Sequence, residues 1–482
     1  MEKYLVIVPF KTKSGQNYIY DDITGTIFPV YKETIDILKN YEKLSFEKTL
    51  EMMDPNSVRF EISKNFVNHW ITKYNAFYRF HAEENKLNVK DNIKAIVNNS
   101  SQSVLLEITE NCNFQCEYCA YSEHYKNTRE ETENKMEISI GKKAIDYYLK
   151  INKESFQSNP EKKFIVGFYG GEPLLNFECL KELVEYANGI EIGADKQYII
   201  TTNGYLLDEE RAKFLVQNNF KILISLDGPK VEHDKNRKLK NGKGTFDKIY
   251  GNLTKFKELF PNYNDINFIT VIDWTSNLEM IKEFFMSIEA TIGKLSFITN
   301  VSDIETNYYS KFNIRQKHIF NQRLKHLKDE YLKKEREGHE ISTFEKLFFY
   351  MERYKDFRNR QDDQKNAIFE YSATCIPGKK LMVRTNGDFD ICEKVNGKNM
   401  IGNVHTGFNY DAILKIMEVF NDKVLVKCKS CPITKICSHC YATCNSGSTF
   451  ERPDCEKLRK EVKSALKVVT ETMEINHNAF SK

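Results

Sequence analysis

No run of apolar residues in this 482-residue chain approaches 18 in length, so no membrane-spanning helix is expected. Charge of one sign is missing as well. The 71 Lys and Arg stand against 68 Asp and Glu, giving a net charge of +3, and the two signs are interspersed. That balance offers no stripe for a polyanion, so neither nucleic acid nor a membrane surface is expected as a partner. The start, Met1-Glu2-Lys3-Tyr4-Leu5-Val6-Ile7-Val8, lacks the charged and cleavage regions of a secretory signal. The expectation is a soluble, cytoplasmic protein. Apolar residues make up 41% of the chain, enough for large cores in roughly two to four domains.

What the chain has is cysteine: twelve residues, eight of them between Cys375 and Cys455. In a cytosolic protein of this size such a cluster points to metal rather than to disulfides. Three more, Cys112, Cys116 and Cys119, share one loop directly after the strand-like run Val104–Thr109. A 4Fe–4S cluster takes thiolates, usually four. A loop offering three leaves one iron open to a small molecule, as catalytic zinc keeps an open position. A zinc knuckle is the alternative for the loop alone. Cys179 falls in a helical run and reads as a buried, unreactive thiol.

Residues 103–305 alternate strands with helices. Strands are expected at Val104–Thr109, Phe164–Phe168, Tyr198–Thr202, Ile222–Leu226, Ile266–Val271 and Leu295–Val301, with helices near Ile138–Lys150, Phe177–Ala187, Asp208–Gln217, Phe246–Phe260 and Leu278–Ile288. Crossover helices between strands imply a parallel sheet in an α/β fold, curled into an open barrel. Its chemistry would lie at the strands' C-terminal ends. Residues 1–85 read as a small α+β domain: strands Tyr4–Phe10 and Asn17–Asp21, a turn at Gly25 into a third, then helices at Tyr31–Lys39 and Phe46–Met53. Residues 86–102 read as a linker, 306–371 as a helical bridge, 372–460 as a cysteine-rich domain and 461–482 as a C-terminal helix.

The cysteine loop, with Gly170-Gly171-Glu172-Pro173 at the end of the next strand, resembles the radical S-adenosylmethionine (SAM) superfamily. The resemblance implies a partial (β/α)6 barrel in which Cys112, Cys116 and Cys119 hold a 4Fe–4S cluster and SAM occupies the open iron. Reductive cleavage of SAM then releases a 5′-deoxyadenosyl radical, with the electron from a one-electron reductant such as flavodoxin or ferredoxin. By the same resemblance Gly170, Gly171, Glu172 and Pro173 meet the methionine amino group. Asn203, Ser225 and Asp227 meet the ribose and carboxylate, and Arg237 helps hold that carboxylate. A turn-forming role before Gly228 is the alternative for Asp227.

Cys375 and Cys392 flank an expected hairpin, Met382–Arg384 and Phe389–Ile391, turning at Asn386-Gly387. Cys428, Cys431, Cys437, Cys440, Cys444 and Cys455 follow. On spacing alone, Cys428-x-x-Cys431 with Cys437-x-x-Cys440 also allows a zinc ribbon. The whole array resembles the SPASM domain, which carries two auxiliary 4Fe–4S clusters. The resemblance assigns Cys428, Cys431, Cys437 and Cys455 to a distal cluster. Cys375 and Cys392 go to a nearer one, with Cys440, Cys444 or both. One departure stands out: Tyr441 occupies the position four after Cys437, where the family has a cysteine. Glu393 follows Cys392 where sulfatase-maturing relatives place an aspartate base, so it is a catalytic candidate.

Residues 1–85 resemble the leader-recognition domain (RiPP recognition element) of enzymes acting on ribosomally made peptides, which adds a leader as an extra strand. A plain α+β support domain is the alternative. Domain, barrel and SPASM together resemble the sactipeptide and ranthipeptide maturases. That implies thioether crosslinking of a precursor peptide by a radical SAM oxidoreductase. Carbon–carbon or carbon–oxygen crosslinking and formylglycine formation use the same parts. A non-catalytic iron–sulfur or zinc protein is the reading from another class.

Overall fold

A computed structural model describes residues 3–42, 46–51, 57–80, 89–125, 130–301, 306–349, 374–395 and 397–479. At the N-terminus, β1 (Lys3–Leu5), β2 (Ile7–Lys11), β3 (Asn17–Asp21) and β4 (Thr26–Val30) precede helices α1 (Lys32–Tyr41), α2 (Phe46–Glu51) and α3 (Val58–Tyr74), then β5 (Tyr78–Phe80). Strands β2, β3 and β4 form an antiparallel meander. The single first strand expected over Tyr4–Phe10 is divided at Val6, whose N–H bonds to Phe77 O at 2.9 Å. That lets β1 pair with β5 while β2 pairs with β3. Helix α3 was not anticipated; Ser57 caps its start by accepting from Phe60 N, and Asn75 ends it with a positive φ of 49°. Ile19, Phe28, Ile37, Phe60 and Phe77 fill a separate small core here.

The stretch read as a linker is mostly helix α4 (Val89–Ser100). Ile93 and Val97, four apart on one face, enter the main core. The central unit then runs β6 (Ser103–Thr109), α5 (Ile138–Ser158), β7 (Phe164–Gly170), α6 (Phe177–Asn188), β8 (Lys196–Thr202), α7 (Glu209–Gln217), β9 (Lys221–Ser225), α8 (Lys230–Asn236), α9 (Phe246–Leu259), β10 (Ile266–Ile272), α10 (Leu278–Glu289) and β11 (Lys294–Asn300). All six expected strands form, and they pair in parallel in chain order. Among the described residues the sheet does not close. Its β6 edge is taken by β12 (Lys380–Val383), which pairs in parallel from Lys380↔Ser103 to Val383↔Leu106. Before it lie α11 (Ile314–Glu337) and α12 (Thr343–Phe348); the rest of the expected bridge, 350–371, lies outside the described residues.

Beyond β12 come β13 (Asp388–Asp390), β14 (Gly402–Asn403) and β15 (Gly407–Phe408), which extend the sheet to ten strands. The hairpin turns at Gly387, with φ of 91°. Helix α13 (Tyr410–Lys423), short α14 (Tyr441–Cys444), the β16 (Asn445–Ser446) and β17 (Thr449–Phe450) pair, and α15 (Cys455–Ile475) complete the chain. Helix α15 begins at Cys455, so the boundary expected at 460 falls inside it. Among the described residues no helix is long and apolar enough to cross a membrane.

Candidate active site

The cysteine loop leaves β6 and is fixed from three sides. The first is the end of β7, where Gly171 N bonds to Thr109 O and Glu172 N to Asn111 O, both at 2.9 Å. This approach is what the two glycines allow. A Cβ at Gly170, whose φ is 149°, would lie 2.1 Å from Thr109 O, and one at Gly171 would lie 2.2 Å from Asn111 O. The glycines therefore serve the loop's backbone directly.

The second side is β8. Asn203 Nδ2 donates to Asn113 Oδ1 at 2.8 Å, and among the described residues the buried Asn113 Nδ2 has no partner. Glu172, 1% exposed, ties β7 to β8. Its carboxylate accepts from Leu174 N at 3.1 Å, Thr202 Oγ1 at 2.6 Å and Asn203 N at 2.7 Å. Burial outweighs these bonds and pushes its pKa up to about 7.

The third side is the segment after β9. Gln115 N bonds to Lys238 O at 2.8 Å and Glu117 N to Asn236 O at 3.1 Å. Arg237, buried between them, donates from Nε to Asp227 Oδ2 at 3.0 Å and stacks over Tyr118 at 5.3 Å. Tyr118 also donates to Asp227, and Val271 N bonds to the other carboxylate oxygen at 3.0 Å. Burial pushes the Cys116 thiol up to about 12, even though Arg237 pulls it down.

Buried His233 organises this corner from behind. Asp227 N donates to its Nδ1 at 3.3 Å, so Nε2 carries the proton and meets Thr245 Oγ1 at 3.0 Å; Thr245 in turn donates to Arg237 O at 2.9 Å. Burial, then the nearby Arg237 charge, hold this imidazole down to about 3, so it is neutral. His233 and Thr245 stand in the segments His233–Arg237 and Gly242–Phe246, which mark the region in the sequence but assign neither residue a role.

These elements open into one cavity of about 2430 Å³. Cys112, Cys116, Cys119, Gly170, Gly171, Glu172, Asn203, Ser225 and Arg237 line it. Pro173 and Asp227 do not. Pro173 opens the buried 3-10 turn after Glu172, and Asp227 lies behind Arg237 with both oxygens engaged. The lining also includes Glu393, Lys394, Val395, Ser438 and His439, with residues of α11 and α15. Glu393 Oε1 pairs with Lys380 Nζ at 3.1 Å.

No disulfide links any of the twelve cysteines. Among the described residues no three Cys, His, Asp or Glu side chains converge tightly about a single ion. Thiols spread around a multi-iron cube need not do so. Cys116 and Cys119 are close enough to raise the pKa of Cys112, Cys119 does the same to Cys116, and Cys440 to Cys392. Cys428, Cys431, Cys437 and Cys455 line a second, small cavity, where Arg452 Nε reaches Cys455 Sγ at 3.2 Å. Buried Cys444 lies between the groups, influenced by Cys440, Cys455 and Cys428. Cys375 and Cys392 both act on Lys380, and Cys375 acts on Tyr441. Several buried thiols so close together are costly as thiolates unless a metal centre supplies positive charge. The donor sets therefore suit iron–sulfur clusters. Cys179 is buried in α6, as expected.

A seam not seen in the sequence joins the two cysteine regions. Arg384 donates to Glu107 at 3.3 Å and to Asp390 from Nε at 3.1 Å, all three being buried. Glu107 also accepts from Tyr121 at 3.0 Å.

Residues 106–288 match the sequence profile of the Radical SAM superfamily. An uncharacterised protein of Methanocaldococcus jannaschii is 28% identical over 63% of this chain and 88% of its own length. A cysteine-type anaerobic sulfatase-maturating enzyme of Clostridium novyi is 31% identical over 38% of this chain and 48% of its own. The radical SAM cyclopropyl synthase TigE of Paramaledivibacter caminithermalis is 27% identical over 49% and 48%. The chain thus spans about half the length of the latter two. In fold, it is similar to native anSMEcpe with bound AdoMet, with a TM-score of 0.55 and 21% identity over 79% of this chain and 98% of that one. Residues 106–288 are a radical SAM domain, and the relatives of this chain include a sulfatase-maturating enzyme and a radical SAM cyclopropyl synthase.

Proposed function

We propose that the protein is a radical SAM peptide maturase that installs thioether crosslinks, Cys sulfur to carbon, in a ribosomally made precursor. The observation that carries this is the single cavity of about 2430 Å³ joining the three-cysteine loop to the wall beside Cys392. Small-molecule pockets run to roughly 300–1,000 Å³; this space suits a peptide segment. In this reading Cys112, Cys116 and Cys119 hold the SAM-binding cluster, and the eight C-terminal cysteines hold two more. When bound, these groups supply a 5′-deoxyadenosyl radical and a place for the second electron removed from the peptide.

The chain's own residues bind, orient and move protons. Glu172 receives the methionine ammonium, and Arg237 sets the loop against Cys116. Ser225 and Asn203 line the nucleoside side, and Glu393 accepts the proton shed as sulfur closes on carbon. The outer edge of β4 has no strand partner among the described residues, and Pro29 there lacks an N–H, as edge strands tolerate. A leader would add to that edge.

Formylglycine formation is the second reading, favoured by the sulfatase-maturating relative and by the carboxylate that follows Cys392. One experiment separates the two. Reconstituted protein, reductant and SAM are incubated with Cys-containing candidate precursor peptides and with a sulfatase-type peptide, and products are read by mass spectrometry. Loss of two hydrogens per Cys with no free carbonyl supports thioether formation. A hydrazide-reactive aldehyde on the sulfatase-type peptide alone contradicts it.

A further inference from the structure

The geometry assigns to Asp22 and Arg79 of the N-terminal domain the positioning of the Cys428–Cys431 loop, so that docking of this domain and metal loading of the distal thiols are linked. The inference rests on the reading that Cys428, Cys431, Cys437 and Cys455 hold a metal centre.

The loop around these thiols has little structure of its own. Between Val424 and Cys437 its regular structure is two short 3-10 turns, Leu425–Cys428 and Thr434–Ile436. Within the loop Cys431 N donates to Cys428 O at 3.0 Å, and Arg79 adds donors from outside. Nη1 donates to Lys429 O at 2.7 Å, Cys428 O at 3.3 Å and Cys431 O at 3.4 Å. Nη2 donates to Asp22 Oδ2 at 2.6 Å and Thr434 Oγ1 at 3.0 Å. Asp22, 0% exposed, accepts from Thr434 Oγ1 and from Lys435 N at 3.0 Å. One guanidinium and one carboxylate from outside thus fix the loop at five consecutive or near-consecutive positions.

The thiols are part of the same contact. Cys431 packs in a small core with Val8, Phe10 and Tyr20 of the meander and with Ile433, Ile436 and Leu466. Ile436 and Leu466 also line the central cavity. The loop therefore has one face on the N-terminal domain and the other on the reaction chamber. Anything that binds only the docked, ordered loop stabilises docking, and docking favours that binding equally.

The test compares wild type with Arg79→Ala and Arg79→Lys after anaerobic reconstitution. Lysine keeps the charge but not the fork that reaches three carbonyls and a carboxylate. Both variants are expected to lose about one third of their iron to a chelator at least about tenfold faster than wild type, with a changed EPR signal from one reduced cluster. SAM cleavage without peptide should be unchanged. In wild type, amide exchange across residues 7–22 should rise when the labile iron is stripped. Iron loss and EPR signals unchanged in Arg79→Lys, or exchange across 7–22 indifferent to iron, would overturn the inference. Should wild type hold only about four irons, the cluster reading fails separately; the exchange comparison, made between zinc-loaded and metal-free protein, still decides the linkage.

Discussion

Burial that lifts the Glu172 carboxyl to about 7 has a consequence for the ligand it is proposed to meet. An ammonium binds the carboxylate form, so below pH 7 SAM binding must expel a proton, and affinity rises with pH until that proton is gone. Calorimetry in buffers of different ionisation enthalpy should show proton release near pH 6 that vanishes in Glu172→Gln, along with most of the affinity. His233 gives a stability effect of definite sign. Its folded pKa of about 3 lies below the 6.5 of the unfolded chain, so its contribution is full above pH 6.5 and is lost as pH falls toward 3. Urea unfolding at pH 7 and pH 5 should show a smaller difference for His233→Gln than for wild type. The two residues differ in legibility. Glu172 stands in a recognisable four-residue motif, whereas His233 acts only through bonds to Asp227 and Thr245 that folding creates.

At the level of elements, the six parallel strands and their helices were readable because β-branched, near-continuous apolar runs alternate with helical periodicity. Helices α3 and α4 were not. Few of α3's residues are buried, and α4 contributes just two side chains to the core. The parallel pairing of β12 with β6 was equally hidden, since it joins segments far apart in the chain. Arg384 bridges Glu107 and Asp390 beside that seam. Arg384→Ala would leave two buried carboxylates without their cation, at a cost of about 3–5 kcal/mol. Equilibrium denaturation should show this loss. Arg384→Ala with Glu107→Gln and Asp390→Asn should recover part of it.

Eleven of the twelve cysteines fall in two regions: Cys112, Cys116 and Cys119 line one chamber, and the C-terminal group lies beside lining residues such as Glu393 and Ser438, with faces of α11 and α15 completing the lining. That convergence was partly legible, because thiol spacing announces metal sets, but which set Cys444 serves depends on a position between the two groups that spacing does not encode. The central claim is that the three-cysteine loop supports radical SAM chemistry, and the most direct test is 5′-deoxyadenosine formation by anaerobically reconstituted, reduced protein. Wild type should form the product and Cys112→Ala/Cys116→Ala/Cys119→Ala none, while the triple variant should still keep about two thirds of the iron. Wild-type protein that binds iron yet forms no 5′-deoxyadenosine, or a triple variant that forms as much as wild type, would contradict that claim.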